Sequence, residues 1–318
     1  MRTDEKQYYD VPESFLKAIE EQGYKPVAVE DQTLFDPYYD AMEGHWSANS
    51  SFVNLWAWKE SLPCYYKIVG ELIVPVFYLR AYGYAVAGAM IGHYTDAGIG
   101  EVLRILHEDF RAMGEKFCIM DVVPWMRPYF ERNGDFTYED LRDNMDYTFT
   151  PEEFQAGMDA SDDRYRYRYF LRKYNFETLE FTPEHLDDCN AFMEKYWCDR
   201  TGCEECQSGC LKQVVANIIP YYGKLRCYGI IVYVDGEPSG ICLVTSRNHL
   251  GIYQYKNANN RIKGLNEYLL RETFERFMQD VDCINYTEDM GVENLRYYKE
   301  HMAPSFTLLS KLTLREKG

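Results

Sequence analysis

Residues 227–280 read CYGIIVYVDGEPSGICLVTSRNHLGIYQYKNANNRIKGLNEYLLRETFERFMQD, and this stretch decides the fold. Cys227–Val234 is an apolar run rich in β-branched residues, and Asp235-Gly236 is a hairpin signal. Gly240–Thr245 and Gly251–Tyr255 follow as two more strand-sized runs. Then the period changes: Leu265, Tyr268, Leu269, Phe274 and Phe277 recur at helical spacing. The stretch predicts a three-strand meander followed by a long amphipathic helix over Arg261–Asp280.

Working outward, Phe176–Phe181 alternates as a strand, and Thr182-Pro183 opens a helix to about Trp197. Leu211–Tyr222 makes a second helix. On the far side come a short strand (Cys283–Tyr286), a helix (Val292–Met302) and a last strand (Phe306–Leu314). The order is β-α-α-β-β-β-α-β-α-β, and the first half repeats it. There a strand at Tyr24–Val29 precedes helices near Leu34–Met42 and Phe52–Glu60, then strands Tyr65–Val69, Ile73–Leu79 and Tyr84–Met90. Helix Gly100–Met113, strand Phe117–Val122, helix Trp125–Arg132 and strands to Phe149 complete it. Gly70 to Asp121 and Gly236 to Thr287 are both 51 residues. The expectation is an α+β protein of two tandem units, 1–150 and 151–318, each a mixed sheet flanked by helices, divided near Thr150-Pro151. The competing reading is a single α+β fold with chance spacing.

The chain of 318 residues carries 51 Asp+Glu against 34 Lys+Arg, a formal charge of −17. Such a surface repels nucleic acid and anionic lipid on average, so a polyanion needs a local basic site. One basic run exists, Arg164-Tyr-Arg-Tyr-Arg-Tyr-Phe-Leu-Arg-Lys173, which either grips phosphates between aromatic rings or is a solvated helix face paired to Asp159, Asp162 and Asp163. The start, MRTDEKQYYDVPES, has no apolar run, and Leu72–Gly92 breaks into strand-sized pieces; neither a leader nor an integral membrane segment is expected. Ten cysteines then point to reduced thiols in the cytoplasm.

The element order resembles that of GNAT acyltransferases, whose cofactor loop reads Q/R-x-x-G-x-G/A ahead of the long helix. The matching place here is Arg261-Ile-Lys263-Gly264-Leu-Asn266, with Asn266 where a small residue is usual. A helix N-terminus attracts anions, and glycine lets a diphosphate approach the backbone; a plain helix start explains the same residues. The first-half counterpart, Asp96–Glu101, lacks the leading basic residue, so the first unit is expected to be structural.

Asn285–Phe306 (NYTEDMGVENLRYYKEHMAPSF) and Tyr255–Leu269 (YKNANNRIKGLNEYL) resemble segments of the phosphatidylglycerol lysyltransferase C-terminal family, as do Ser50–Glu60 (SSFVNLWAWKE) and Met145–Phe154 (MDYTFTPEEF). The likeness spans about residues 40–310. It implies a tandem GNAT-like fold and, for named members, aminoacyl transfer from a charged tRNA to a lipid. The expected enzyme is an acyl- or aminoacyltransferase using acyl-CoA or aminoacyl-tRNA and a small-molecule, lipid or peptide acceptor, with tRNA disfavoured by net charge. Donor contacts are assigned to Tyr255, Lys256, Arg261, Lys263, Gly264 and Asn266, the Tyr255–Lys256 backbone holding the acyl oxygen.

Glu288 and Asp289 follow a strand end, where α/β sheets gather ligands, and either is a candidate base; Asp289 equally suits capping the next helix. Tyr298 is placed to protonate a leaving group or to pack. Asn285, Arg296 and Lys299 are substrate-binding candidates, although Arg296 and Lys299 also suit pairing with Glu293 and Glu300. Cys198, Cys203, Cys206 and Cys210, spaced C-x4-C-x2-C-x3-C, suit either a tetrahedral zinc or four free thiols. A non-catalytic binding or metal-sensing protein built on that cluster is the alternative function.

Overall fold

A computed structural model describes residues 9–198 and 211–317. The chain forms two compact units, one running to Arg142 and resuming at Ser310, the other Asp143–Leu309.

The first unit contains α1 (Glu13–Glu21), β1 (Lys25–Pro26), α2 (Gln32–Asp40), α3 (Phe52–Ala57), β2 (Cys64–Val69), β3 (Leu72–Leu79), β4 (Tyr84–Gly88) and β5 (Ile91–Gly92). It continues with α4 (Asp96–Met113), β6 (Cys118–Val122), α5 (Arg127–Asn133) and β7 (Phe136–Glu139). The second unit holds β8 (Asp146–Phe149), α6 (Pro151–Met158), α7 (Ser161–Lys173), β9 (Phe176–Glu180), α8 (Leu186–Met193), α9 (Leu211–Ile218), β10 (Cys227–Val234), β11 (Glu237–Arg247) and β12 (Leu250–Ala258). After these come α10 (Leu265–Phe277), β13 (Cys283–Asn285), α11 (Glu293–Glu300) and β14 (Thr307–Leu309); the chain's last strand is β15 (Leu312–Glu316).

The expected α+β architecture, two mixed sheets flanked by helices, is what forms. Sheet order is β1-β2-β3-β4-β6-β15-β7 in one unit, with β5 beside β3, and β14-β8-β13-β12-β11-β10-β9 in the other. Both sheets are antiparallel except at β4–β6 and β12–β13, where a crossover helix (α4 or α10) intervenes. The predicted duplication reaches the backbone: the first turn residue of each hairpin, Gly70 after Val69 and Asp235 after Val234, is left-handed, at φ 57° and 51°. Asp121 and Thr287, both non-glycine, sit at φ 63° and 58°. Residues with side chains rarely adopt this region, so the matched pairs mark one unit built twice.

Three expectations need correction. The strand read as Phe306–Leu314 is two strands split at Ser310-Lys311, and β15 belongs to the first unit's sheet, between β6 and β7. Reciprocally, β8 lies in the second unit's sheet, between β13 and β14. The division therefore falls after Arg142 and not at Thr150-Pro151. Alternation identifies a strand, but its partner strands are non-local and leave no trace in the run itself. Thr150-Pro151 is instead a helix start: Thr150 Oγ1 accepts from the Glu153 N–H (3.2 Å) and the Glu153 carboxylate accepts from the Thr150 N–H (2.9 Å). The long helix α4 also begins earlier than expected, capped by Thr95, whose hydroxyl accepts from the Gly98 N–H at 3.0 Å.

The second unit's core is made by Ile230, Val232, Val244, Tyr253, Leu269 and Phe274 from the meander and α10, closed by Phe154 of α6 and Phe170 of α7. Burying each such side chain stabilises by about 1.5–3 kcal/mol. Along β12 Gln254 and Lys256 are the partly exposed residues, and polar groups gather around Lys256.

Candidate active site

β12 and β13 pair only over Leu250–Ile252 and Cys283–Asn285. Past Asn285 the chain turns onto β8: the Tyr286 N–H donates to the Tyr147 carbonyl (2.8 Å) and the Tyr147 N–H to the Thr287 carbonyl (3.0 Å). β12 runs on to Ala258, so its last residues keep an open edge. A bulge adds to the irregularity, because Leu243 faces Tyr255 while Val244 faces Tyr253, leaving Gln254 out of register.

Three predicted residues meet at this edge. Lys256 of β12 donates from Nζ to Asn266 Oδ1, at the start of α10, and to Tyr298 Oη of α11 at 3.1 Å. Asn266 Nδ2 donates to the same Tyr298 oxygen at 3.1 Å. A lysine offers only donors, so the amide of Asn266 must turn its oxygen to Lys256 and its nitrogen to Tyr298. With both lone pairs of Tyr298 Oη occupied by these donors, its own O–H points elsewhere.

Around the triad the loop 286–291 is locked to α11. Asp289 is fully buried and takes a bidentate grip from Arg296, Nε to Oδ2 and Nη2 to Oδ1, each 2.9 Å. Tyr147 Oη (2.7 Å) and the Gly291 N–H (2.9 Å) also donate to it. Burial works to raise its pKa, but hydrogen bonds from Arg296, Tyr147 and Gly291 and the Arg296 charge outweigh it, holding the carboxyl well below the usual carboxylate range. A carboxylate so bound is a poor proton acceptor, which moves Asp289 from candidate base to clamp. Arg296, whose other partner is Asp143 (2.6 Å), is correspondingly committed to the loop and not to a substrate.

Lys299 is buried too, donating to the Tyr286 carbonyl (2.5 Å), Thr287 Oγ1 (3.1 Å) and the Glu288 carbonyl (2.8 Å). Burial lowers its pKa to about 8 against the opposing pull of Glu288, Asp146 and Asp289. All three of its donors are spent on the loop, so it does not reach a ligand. Asn285 is likewise internal: it donates to Asp146 Oδ2 (2.8 Å) and accepts from the Thr287 N–H (2.8 Å), bracing that left-handed residue. Glu288, half-exposed, is the loop carboxylate nearest solvent.

The expected donor cradle takes a different form. Gly264 caps α10 at φ 89°, and a Cβ there would stand 2.1 Å from the Arg166 carbonyl oxygen of α7. The glycine is demanded by helix packing, because a side chain there would run into α7. Arg261 and Lys263 are exposed, with Lys263 Nζ lying 5.0 and 5.1 Å from the rings of Tyr165 and Tyr169. Tyr255 points away from Lys256, as strand alternation dictates, and its hydroxyl meets Met193 of α8.

Cys203, Cys206 and Cys210 lie outside the described residues, as does the side chain of Cys198, so the zinc expectation falls outside them as well. Among the described residues no group of three or more His, Cys, Asp or Glu side chains is arranged to hold a metal.

Sequence reasoning missed Tyr147 and Asp143, which complete the Asp289–Arg296 clamp. Tyr147 stood in the quoted MDYTFT, but nothing there tells that its strand lies beside β13.

The fold is a tandem pair of α+β units, each a mixed sheet flanked by helices, and the family it belongs to is a transferase family. The family model described as phosphatidylglycerol lysyltransferase, C-terminal, matches residues 42–308, and the chain belongs to that family. A conserved protein of unknown function from Bacteroides thetaiotaomicron is similar at 22% identity and TM-score 0.82, covering 93% of this chain and 99% of its own. The C-terminal domain of a putative lysylphosphatidylglycerol synthetase from Agrobacterium fabrum shares the fold at 9% identity and TM-score 0.60, covering 91% and 93%. L-PGS from Bacillus licheniformis does so at 14% and 0.55, covering 98% and 94%. No curated protein matches the sequence.

Proposed function

We propose that the second unit transfers an aminoacyl group from an RNA ester to an amine or hydroxyl acceptor, on a lipid, a peptide or a small molecule. The observation that carries this reading is the Lys256–Asn266–Tyr298 cluster at the open edge of β12. The acceptor's nitrogen or oxygen attacks the ester carbonyl, whose oxygen gathers negative charge. The Lys256 ammonium, already aimed into the cluster by Asn266, stabilises that charge, aided by N–H groups of the bulged strand around Tyr255–Lys256. Tyr298 gives its proton to the departing ribose oxygen, and the half-exposed Glu288 takes the acceptor's proton. Asp289, Arg296 and Lys299 position α11 and hence Tyr298.

An acyl-CoA donor is the alternative, and the test below separates the two. No helix among the described residues is long and apolar enough to cross a membrane. Cys64, Cys118, Cys189, Cys227, Cys242 and Cys283 are unpaired, which supports a reducing compartment such as the cytoplasm.

The test presents the chain with a pool of radiolabelled aminoacyl-tRNAs and, separately, with radiolabelled acetyl-CoA, over amine, peptide and lipid acceptors. The reading expects label to leave tRNA and to stop doing so in Lys256→Met. Transfer from acetyl-CoA alone, or transfer from tRNA untouched by that substitution, would overturn it.

A further inference from the structure

α7 has a face that the transfer chemistry does not use. At 100° per residue, Phe170 and Asp163 point inward, Phe170 being fully buried, while Arg164, Tyr165, Arg168, Tyr169 and Arg172 fall within a 140° arc on the opposite side (about 3.6 residues per turn). That arc contains no acid. Arg164, Arg168 and Arg172 are all exposed, and among the described residues none of them has a carboxylate at salt-bridge distance. Arg166, on the flank, is the arginine that is paired, to Glu267 at 3.2 Å.

Three cations at i, i+4 and i+8 repel one another along the helix. In a chain with 51 acidic residues, an ordinary solvated face would alternate signs instead. Lys263 adds a fourth cation over Tyr165 and Tyr169, and Tyr165 leaves 52% of its surface in solvent. Arginines about 6 Å apart along the axis, interleaved with exposed rings, suit a partner offering both repeated phosphates and flat bases.

We propose that the Arg164–Arg168–Arg172 face, with Lys263 and Tyr165, is a docking surface for single-stranded RNA, the arginines taking phosphates and the tyrosine stacking on a base. An anionic bilayer fits less well. A membrane-surface helix buries a whole apolar face, whereas Leu171 is the one exposed aliphatic side chain beside these arginines on α7. The surface rests on the transfer reading only for the identity of the RNA that docks; docking itself requires no reaction.

Fluorescence anisotropy with a short labelled, unacylated single-stranded RNA tests it, beside flotation with phosphatidylglycerol vesicles. The native chain should bind RNA with log K falling against log salt at a slope of about −3, as expected for four phosphate contacts. Arg164→Glu/Arg168→Glu/Arg172→Glu should weaken binding by more than about tenfold and flatten the slope by about 2, with Lys17→Glu as an unaffected control. If the triple variant fails to fold by circular dichroism, Arg168→Gln decides, its slope falling by about 0.7. RNA binding that is absent, or unchanged by these substitutions, overturns the proposal. So does vesicle binding that the variants abolish while RNA binding persists. Because the probe carries no aminoacyl group and Lys256→Met should still bind it, loss of transfer and loss of docking are read independently.

Discussion

Asp121 and Thr287 are 166 positions apart, and that offset sets the ends of β6 and β13 and the helices after them side by side in sequence. Where the second unit has Tyr298, the first has Arg132. Arg132 turns to Asp96 at 2.7 Å. The clamp changes in the same way: Val123 and Phe130, both fully buried, hold the places of Asp289 and Arg296. One frame thus exists in an apolar and a polar version. A buried ion pair is often no more stabilising than apolar groups of similar volume, so stability gives little reason to keep the polar one. Keeping it is intelligible if the loop must hold Tyr298 in one place, which the bidentate geometry of Arg296 on Asp289 does with more direction than apolar contact.

Several substitutions would break or sharpen this contrast. The largest effect is expected from Met90→Lys, which puts a charge into the first unit's fully buried apolar interior; it should cost on the order of 4 kcal/mol in denaturant unfolding. Tolerance of that lysine would mean the first unit keeps a polar opening after all. In the second unit, Tyr298→Phe should slow transfer by about 10²–10³ while leaving the melting temperature nearly unchanged. A variant that melts early but retains its turnover would make Tyr298 a packing residue.

Gly264→Ala forces a Cβ against the Arg166 carbonyl at positive φ, and a loss of about 2–3 kcal/mol is expected by chemical denaturation. Near-neutral behaviour would refute the account of why that glycine is there. Asp289→Asn should destabilise at neutral pH in a way that fades in acid. Its carboxyl titrates lower in the folded chain than in the unfolded one, so its contribution is full above about pH 4 and drains as pH falls through the folded value. Melting curves of native and variant chains should therefore converge below about pH 4, and a constant gap would remove the carboxylate from the explanation. The smallest expected effect is at the hairpins: Gly70→Ala and Gly236→Ala, both at positive φ with open space around the added Cβ, should each lose about 1 kcal/mol. No loss at either would remove backbone strain as the reason for that glycine.

Much of this was legible in the residues. Period-2 runs, the Asp235-Gly236 hairpin and the switch to helical spacing at Leu265 depend on near neighbours, and they marked the meander and α10 correctly. Lys256, Asn266 and Tyr298 could be singled out from their positions at strand and helix ends. Lys299 and Asn285 could not be placed, because a lysine in a helix and an asparagine at a strand end look equally ready for solvent or for the interior. Their burial follows from the loop 286–291 folding over them, and that depends on β8, well over a hundred residues earlier.

The sequence by itself determined the element types, their order and their repetition, since hydrophobic periodicity and turn chemistry act over a few residues. Only the tertiary structure decided that β8 and β15 belong to each other's halves, and that Gly264 makes room for α7. It also decided that Asp289 is held by Arg296 and Tyr147 and is not left to accept a proton. Each of those outcomes turns on which distant groups share a low-dielectric interior, where a neighbouring donor or charge sets what a side chain can do.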